Sequence, residues 1–261
     1  MVFDGIDTTA KVNDTNHGWN HRTSRRENTM AELIVALDVA SLSEAEAVVT
    51  LLGPSVSFYK IGLELFCAAG PDVVARVKGR GKRVFLDLKL HDIPRTVERA
   101  VKSCGLLGVD LLTIHSSGGR AMIQAAHDAA AALGAAAPKV VAVTALTSLD
   151  QADLTDLGIV RPMTDQVETL GFLAMSAGAD GIVCSPKEVA AMRRRLGSRA
   201  LLVTPGVRPA GADVGDQKRV ATPAQAARDG ATHLVVGRPI IEAADPRAAA
   251  EAIRREMVIG Q

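Results

Sequence analysis

Within the stretch Phe85-Leu86-Asp87-Leu88-Lys89-Leu90-His91-Asp92-Ile93-Pro94-Arg95-Thr96, a carboxylate and an ammonium interrupt an otherwise apolar run. Side chains of a β-strand alternate between its faces, so Phe85, Asp87 and Lys89 share one face and Leu86, Leu88 and Leu90 the other. With the leucines turned toward surrounding helices, an acid and a base are left pointing inward together. Asp92 adds a second carboxylate where the chain leaves the strand. Removing such charges from water costs several kcal/mol unless they are well paired. A purely structural Asp–Lys pair is therefore the weaker reading, and a charged array at a strand end points to function.

The elements that must hold this array alternate along the chain. Short β-branched apolar runs occur at 33–38, 56–62, 83–89, 109–115, 139–146, 179–185, 200–206 and 232–237, separated by Ala/Leu-rich segments of helical period. Repeated βα units of this kind build a parallel sheet. Helix starts carry the expected chemistry: Ser43 with Glu46 as a capping box, and Ser185-Pro186, Thr222-Pro223 and Asp245-Pro246 as cap residues followed by proline. Eight units in one chain of this length predict a single-domain (β/α)8 TIM barrel over residues 31–261, with a doubly wound open sheet as the alternative. No Gly-x-Gly-x-x-Gly follows the first run, which leaves a dinucleotide site without support.

In a parallel barrel, chemistry is built at the C-terminal ends of the strands. Polar residues interrupt the apolar runs there at Asp38, Lys60, Asp87, Lys89, His115, Thr147 with Ser148, Arg208 and Arg238, a pattern expected of one shared pocket. Barrels commonly bind phosphate with the loops after strands seven and eight. Those loops carry Pro205-Gly206-Val207-Arg208-Pro209, Gly215-Asp216-Gln217-Lys218-Arg219 and Gly237-Arg238-Pro239. Gly237 admits a phosphate oxygen to its N–H, Arg238 offers a two-pronged guanidinium, and Arg208 and Gln217 lie on a loop long enough to act as a lid.

Composition narrows the function classes. Lys and Arg total 30 against 29 Asp and Glu, so no global field draws the chain to nucleic acid or to an anionic membrane, and any anion affinity is local. The three cysteines, Cys67, Cys104 and Cys184, stand in apolar surroundings and read as reduced core thiols of a cytoplasmic protein. No apolar run is long enough to span a membrane. Residues 1–30 are polar and aperiodic and read as a disordered or vector-derived extension, and His17 and His21 within them lack the partners of a metal site.

The segment Asp87-Leu88-Lys89-Leu90-His91-Asp92 closely resembles the Asp-x-Lys-x-x-Asp signature of the orotidine 5′-phosphate decarboxylases. Further stretches follow in that family's order: ALD at 36–38, YKIGLELF at 59–66, IHSSGG at 114–119, VTALTS at 143–148, IVCSP at 182–186, TPGVRP at 204–209, GDQKR at 215–219 and VVGRP at 235–239. The resemblance implies cofactor-free and metal-free release of CO2 from orotidine 5′-phosphate, giving uridine 5′-phosphate. It implies Lys89 as proton donor to the C6 carbanion, Asp87 beside the departing carboxylate, and Lys60 and Asp92 completing a Lys-Asp-Lys-Asp array. Asp38 and Lys60 are expected at the ribose hydroxyls, Thr147 and Ser148 at the pyrimidine edge, and Pro205, Arg208, Gln217, Gly237 and Arg238 around the phosphate. Asp92, Ile93 and Thr96 are expected to serve the neighbouring subunit's site, which implies a homodimer with shared sites. Magnesium-dependent sugar-phosphate decarboxylases and aldolases built on the same signature are the alternative. They place a metal-binding glutamate where this chain has Lys60, and an ammonium there would repel a divalent cation. A silent phosphate-binding barrel would have no need of two lysines and two carboxylates.

Overall fold

The computed structural model describes residues 30–209 and 221–259. Its strands are β1 (Glu32–Ala36), β2 (Phe58–Gly62), β3 (Arg83–Leu90), β4 (Leu111–His115), β5 (Lys139–Val143), β6 (Gly181–Val183), β7 (Leu201–Thr204) and β8 (His233–Val236). They pair in parallel in chain order, and β1 meets both β2 and β8, so the sheet closes into a barrel. Closure excludes the open doubly wound sheet. All eight predicted strands are present; seven are shorter than their apolar runs, and β3 extends one residue further, to Leu90.

Strand alternation separates two apolar regions. Ile34, Ala36, Phe58, Phe85, Leu111, Val141, Val203 and Val235 point inward and form a plug that fills the barrel. Val35, Tyr59, Leu86, Leu112, Val140, Ile182, Leu202 and Leu234 point outward and pack with the helices. The plug makes the interior a core and not a channel, so the polar inward positions above it are gathered at the mouth.

At the opposite end, polar side chains latch neighbouring strands. Asp110, just before β4, accepts the Val84 N–H at 2.8 Å and the Lys78 ammonium at 3.0 Å. Asp180, just before β6, accepts the Val140 N–H and the Lys139 ammonium, each at 2.9 Å. Thr232, just before β8, accepts the Leu202 N–H at 2.9 Å. His233 lies on this floor, 3.8 Å from Glu32 and edge-on to Phe58, away from the mouth.

Two local expectations change. The first helix, Leu42–Leu52, is capped by Ser41, whose hydroxyl accepts the Glu44 N–H, instead of by Ser43 with Glu46. This register turns Ala45, Val49 and Leu52 inward. Cys67 is exposed, so only Cys104 and Cys184 are core thiols. In the run Arg193-Arg194-Arg195, Arg193 does not simply face solvent: its guanidinium donates to the carbonyls of Gly197, Ala200 and Gly230, tying a helix end to two loops. The proline-led caps stand as expected at Thr222, which accepts the Gln225 N–H, and at Asp245, which accepts the Ala248 N–H. Among the described residues no helix is long and apolar enough to cross a membrane. Trp19, His17, His21 and Gln217 lie outside the described residues.

Candidate active site

Four charged side chains on or just beyond the first three strands meet above the plug. The Lys60 ammonium is 2.9 Å from Asp38 Oδ1 and 3.8 Å from Asp87 Oδ2. Lys89 Nζ donates to the same Asp87 Oδ2 at 2.8 Å. The chain Asp38–Lys60–Asp87–Lys89 therefore alternates in sign and sums to zero within one protomer. Asp87, only 8% exposed, is the hinge of the array: one oxygen faces both lysines, and the other accepts a hydrogen bond from Thr113 Oγ1 at 2.9 Å. Opposite charges at such separations attract by roughly 4 kcal/mol at the effective dielectric of a protein surface, enough to offset much of the cost of desolvation.

The strand that carries the two central charges is not regular. β3 and β4 pair at Phe85↔Leu111 and Leu86↔Leu112 and resume at Leu90↔Ile114, so β3 bulges between Leu86 and Leu90. Lys89 sits in the bulge with φ of 50°, the left-handed region that L-residues rarely adopt. Its N–H goes to Thr113 Oγ1 at 2.8 Å in place of a ladder partner. Simple alternation placed Lys89 on the correct face without anticipating this bend.

Two glycines make room for the array. A Cβ at Gly62 would lie 2.9 Å from Lys60 Nζ, and one at Gly237 would lie 3.1 Å from Asp38 Oδ2. Gly237 thus lies against the carboxylate of the first strand and opens the short helix Arg238–Ile241. Because the obstructed atom at Gly62 is the end of a flexible side chain, Gly62→Ala is expected to move Lys60 at little cost in stability. Displacement of a reacting-centre charge by about 1 Å can cost about 10²-fold in rate. A kcat loss of about that size with Tm nearly unchanged is the expected outcome, and unaltered kcat would show that Lys60 tolerates the shift.

His115 ends β4 beside the array, and its ring lies 5.3 Å from that of His91. Burial, then the neighbouring His91 and Lys89, push its basicity down, with Asp87 opposing, so it is held uncharged at neutral pH.

The other predicted residues among those described occupy the same end of the barrel. Thr147 and Ser148 follow β5, Pro205 follows β7, and Arg238 is exposed just beyond β8. Arg208 donates its N–H to Ala221 O at 3.0 Å, and Val207 bridges Ala221, so the two stems of the loop after β7 are joined. Asp92, Ile93 and Thr96 are not brought to the array of their own chain. All three are exposed at the rim, and the Asp92 carboxylate accepts the Ile93 N–H at 2.7 Å. Within one chain, Asp38 is the fourth member of the array, paired to Lys60. Sequence reasoning missed Thr113 and Gly62; the available signal was a hydroxyl on the inward register of LLTIH and a glycine on the inward register of YKIG. Among the described residues no group of three or more His, Cys, Asp or Glu is placed to hold a metal ion.

Comparison with known proteins adds to this geometry. Residues 31–253 match the family described as "Orotidine 5'-phosphate decarboxylase / HUMPS family". An orotidine 5′-phosphate decarboxylase of Moorella thermoacetica is 52% identical over 237 residues, covering 89% of this chain and 94% of that protein. One from Rhodopseudomonas palustris is 52% identical over 225 residues, covering 86% and 94% respectively. Among solved structures, the orotidine 5′-phosphate decarboxylase of Lactobacillus acidophilus superposes with a TM-score of 0.79 at 41% identity, covering 87% of this chain and 99% of that one.

Proposed function

Because the chain belongs to the orotidine 5′-phosphate decarboxylase / HUMPS family, we propose that it converts orotidine 5′-phosphate to uridine 5′-phosphate and CO2, the last step in making the pyrimidine nucleotide de novo. The observation that carries this choice within the family is Lys60, an ammonium at the end of β2 ion-paired to Asp38 and Asp87. A magnesium-dependent reaction would need an acidic ligand there.

The reaction breaks the bond from C6 to the carboxylate. CO2 leaves, the electron pair stays on C6, and a proton from Lys89 Nζ forms the new C6–H bond; Lys89 then regains a proton from solvent. Lys89 is suited to this because the Asp87 carboxylate accepts from its ammonium at 2.8 Å and aims it. The two ammoniums supply fixed positive charge where negative charge develops, the form of stabilisation that acts most strongly in a water-poor site. Asp38 and Lys60 hold the ribose hydroxyls, Thr147 and Ser148 the pyrimidine edge, and Pro205, Arg208, Gln217, Gly237 and Arg238 the phosphate. Binding energy from the phosphate end would then organise the reacting centre.

The exposed trio Asp92, Ile93 and Thr96 supports a homodimer in which each rim completes the partner's pocket. With Asp92 added, the array carries one net negative charge before substrate binds. No metal or cofactor takes part on this reading, and the free cysteines suit the cytoplasm.

The test is the fall in orotidine 5′-phosphate absorbance with purified protein in chelator. Turnover that chelator leaves intact is the expected result; a folded chain that leaves the substrate unchanged would overturn the proposal.

A further inference from the structure

We propose that Thr113 is the positioning residue that sets the height and direction of Lys89, through a single hydroxyl shared between the Asp87 carboxylate and the Lys89 backbone. This rests on the decarboxylase reading and extends it to a residue that touches no substrate.

Between the paired positions Leu86↔Leu112 and Leu90↔Ile114, Thr113 alone of β4 stands opposite the bulged residues of β3. Lys89 is the one non-glycine among the described residues with positive φ, and a bulge leaves backbone groups without ladder partners. The Thr113 hydroxyl replaces the missing partner. It accepts the Lys89 N–H at 2.8 Å and donates its own hydrogen to Asp87 Oδ1 at 2.9 Å. Both capacities are committed, and the side chain is fully buried.

Packing does not explain the choice. The inward neighbour on the same strand is Leu111, in the apolar plug, and valine has the shape of threonine with equal preference for a strand. What valine lacks is the hydroxyl. Without it the part-buried Lys89 N–H loses its acceptor, Asp87 loses its neutral partner and can turn further toward the lysines, and nothing ties the left-handed bend to β4. Lys89 Nζ would then reach C6 less often in the productive direction, while the groups proposed to bind ribose and phosphate stay where they are.

The experiment compares wild type, Thr113→Val and Thr113→Ser for kcat and KM separately, with amide hydrogen exchange at Lys89 as a readout independent of turnover. Thr113→Val is expected to lower kcat about 10²-fold, the usual cost of misplacing a reacting group, with KM changed by no more than about 3-fold. Thr113→Ser, which keeps the hydroxyl, should stay within about 10-fold of wild type. Exchange at the Lys89 amide should quicken about 10-fold in the valine variant. A folded valine variant with wild-type kcat and unchanged Lys89 exchange overturns the proposal. Should valine prevent folding, serine decides: a kcat as low as that of Thr113→Ala shows that the methyl, and not the hydroxyl, is needed. If wild type itself does not consume orotidine 5′-phosphate, the functional reading fails, and exchange at Lys89 still decides whether Thr113 holds the bend.

Discussion

Lys89→Ala is expected to lower kcat by at least about 10⁴-fold, combining loss of a general acid with loss of a fixed charge at the developing carbanion. The two losses belong to one side chain and do not simply multiply. Folding should survive. Asp87 keeps the Lys60 ammonium at 3.8 Å and the Thr113 hydroxyl at 2.9 Å, so the substitution does not orphan a buried carboxylate. Measuring kcat beside the thermal midpoint separates chemistry from stability. A loss below about 10-fold in a well-folded variant would remove Lys89 from the role of proton donor.

The second large effect concerns two inactive proteins that together regain activity. Asp92 stands on the exposed rim, apart from its own chain's array, and the proposed dimer carries it into the neighbouring pocket. Lys89→Ala and Asp92→Ala should each be nearly inactive alone. In a mixed dimer, the subunit that retains Lys89 receives Asp92 from the other, giving one intact pocket and one doubly defective one. Since half of randomly paired dimers are mixed and each has one good site of two, a refolded equimolar mixture should recover about a quarter of wild-type activity. A mixture no more active than its components would show that each pocket is built by a single chain.

How much of this was legible depends on the kind of signal. Charges inside apolar runs are conspicuous, so Lys60, Asp87 and Lys89 could be read directly from YKIG and DLKL, and Asp38 from ALD. The eight strands were legible because alternation of short β-branched runs with helical segments has few other outcomes. Their ends were not. The run at 139–146 stops as a strand at Val143, where the Thr144 hydroxyl turns to Val183 O, and such a stop depends on the neighbouring strand. The first helix was read with Ser43 and Glu46 as its cap, whereas Ser41 caps it, in the register that buries Ala45 and Val49. Gly62 and Thr113 escaped for a deeper reason. One acts through a missing side chain, and the other resembles any threonine in a strand until its two partners are brought to it by the closed barrel.

The left-handed backbone of Lys89 places stability and turnover in competition at one codon. Glycine adopts that conformation freely, whereas a side chain there stores on the order of 1 kcal/mol of strain. A lineage selected only for resistance to heat would find Lys89→Gly an acceptable step, and one that must make its own pyrimidines could never take it. Under relaxed demand for the product, Lys89→Gly would cease to be selected against and would keep only its gain in backbone ease.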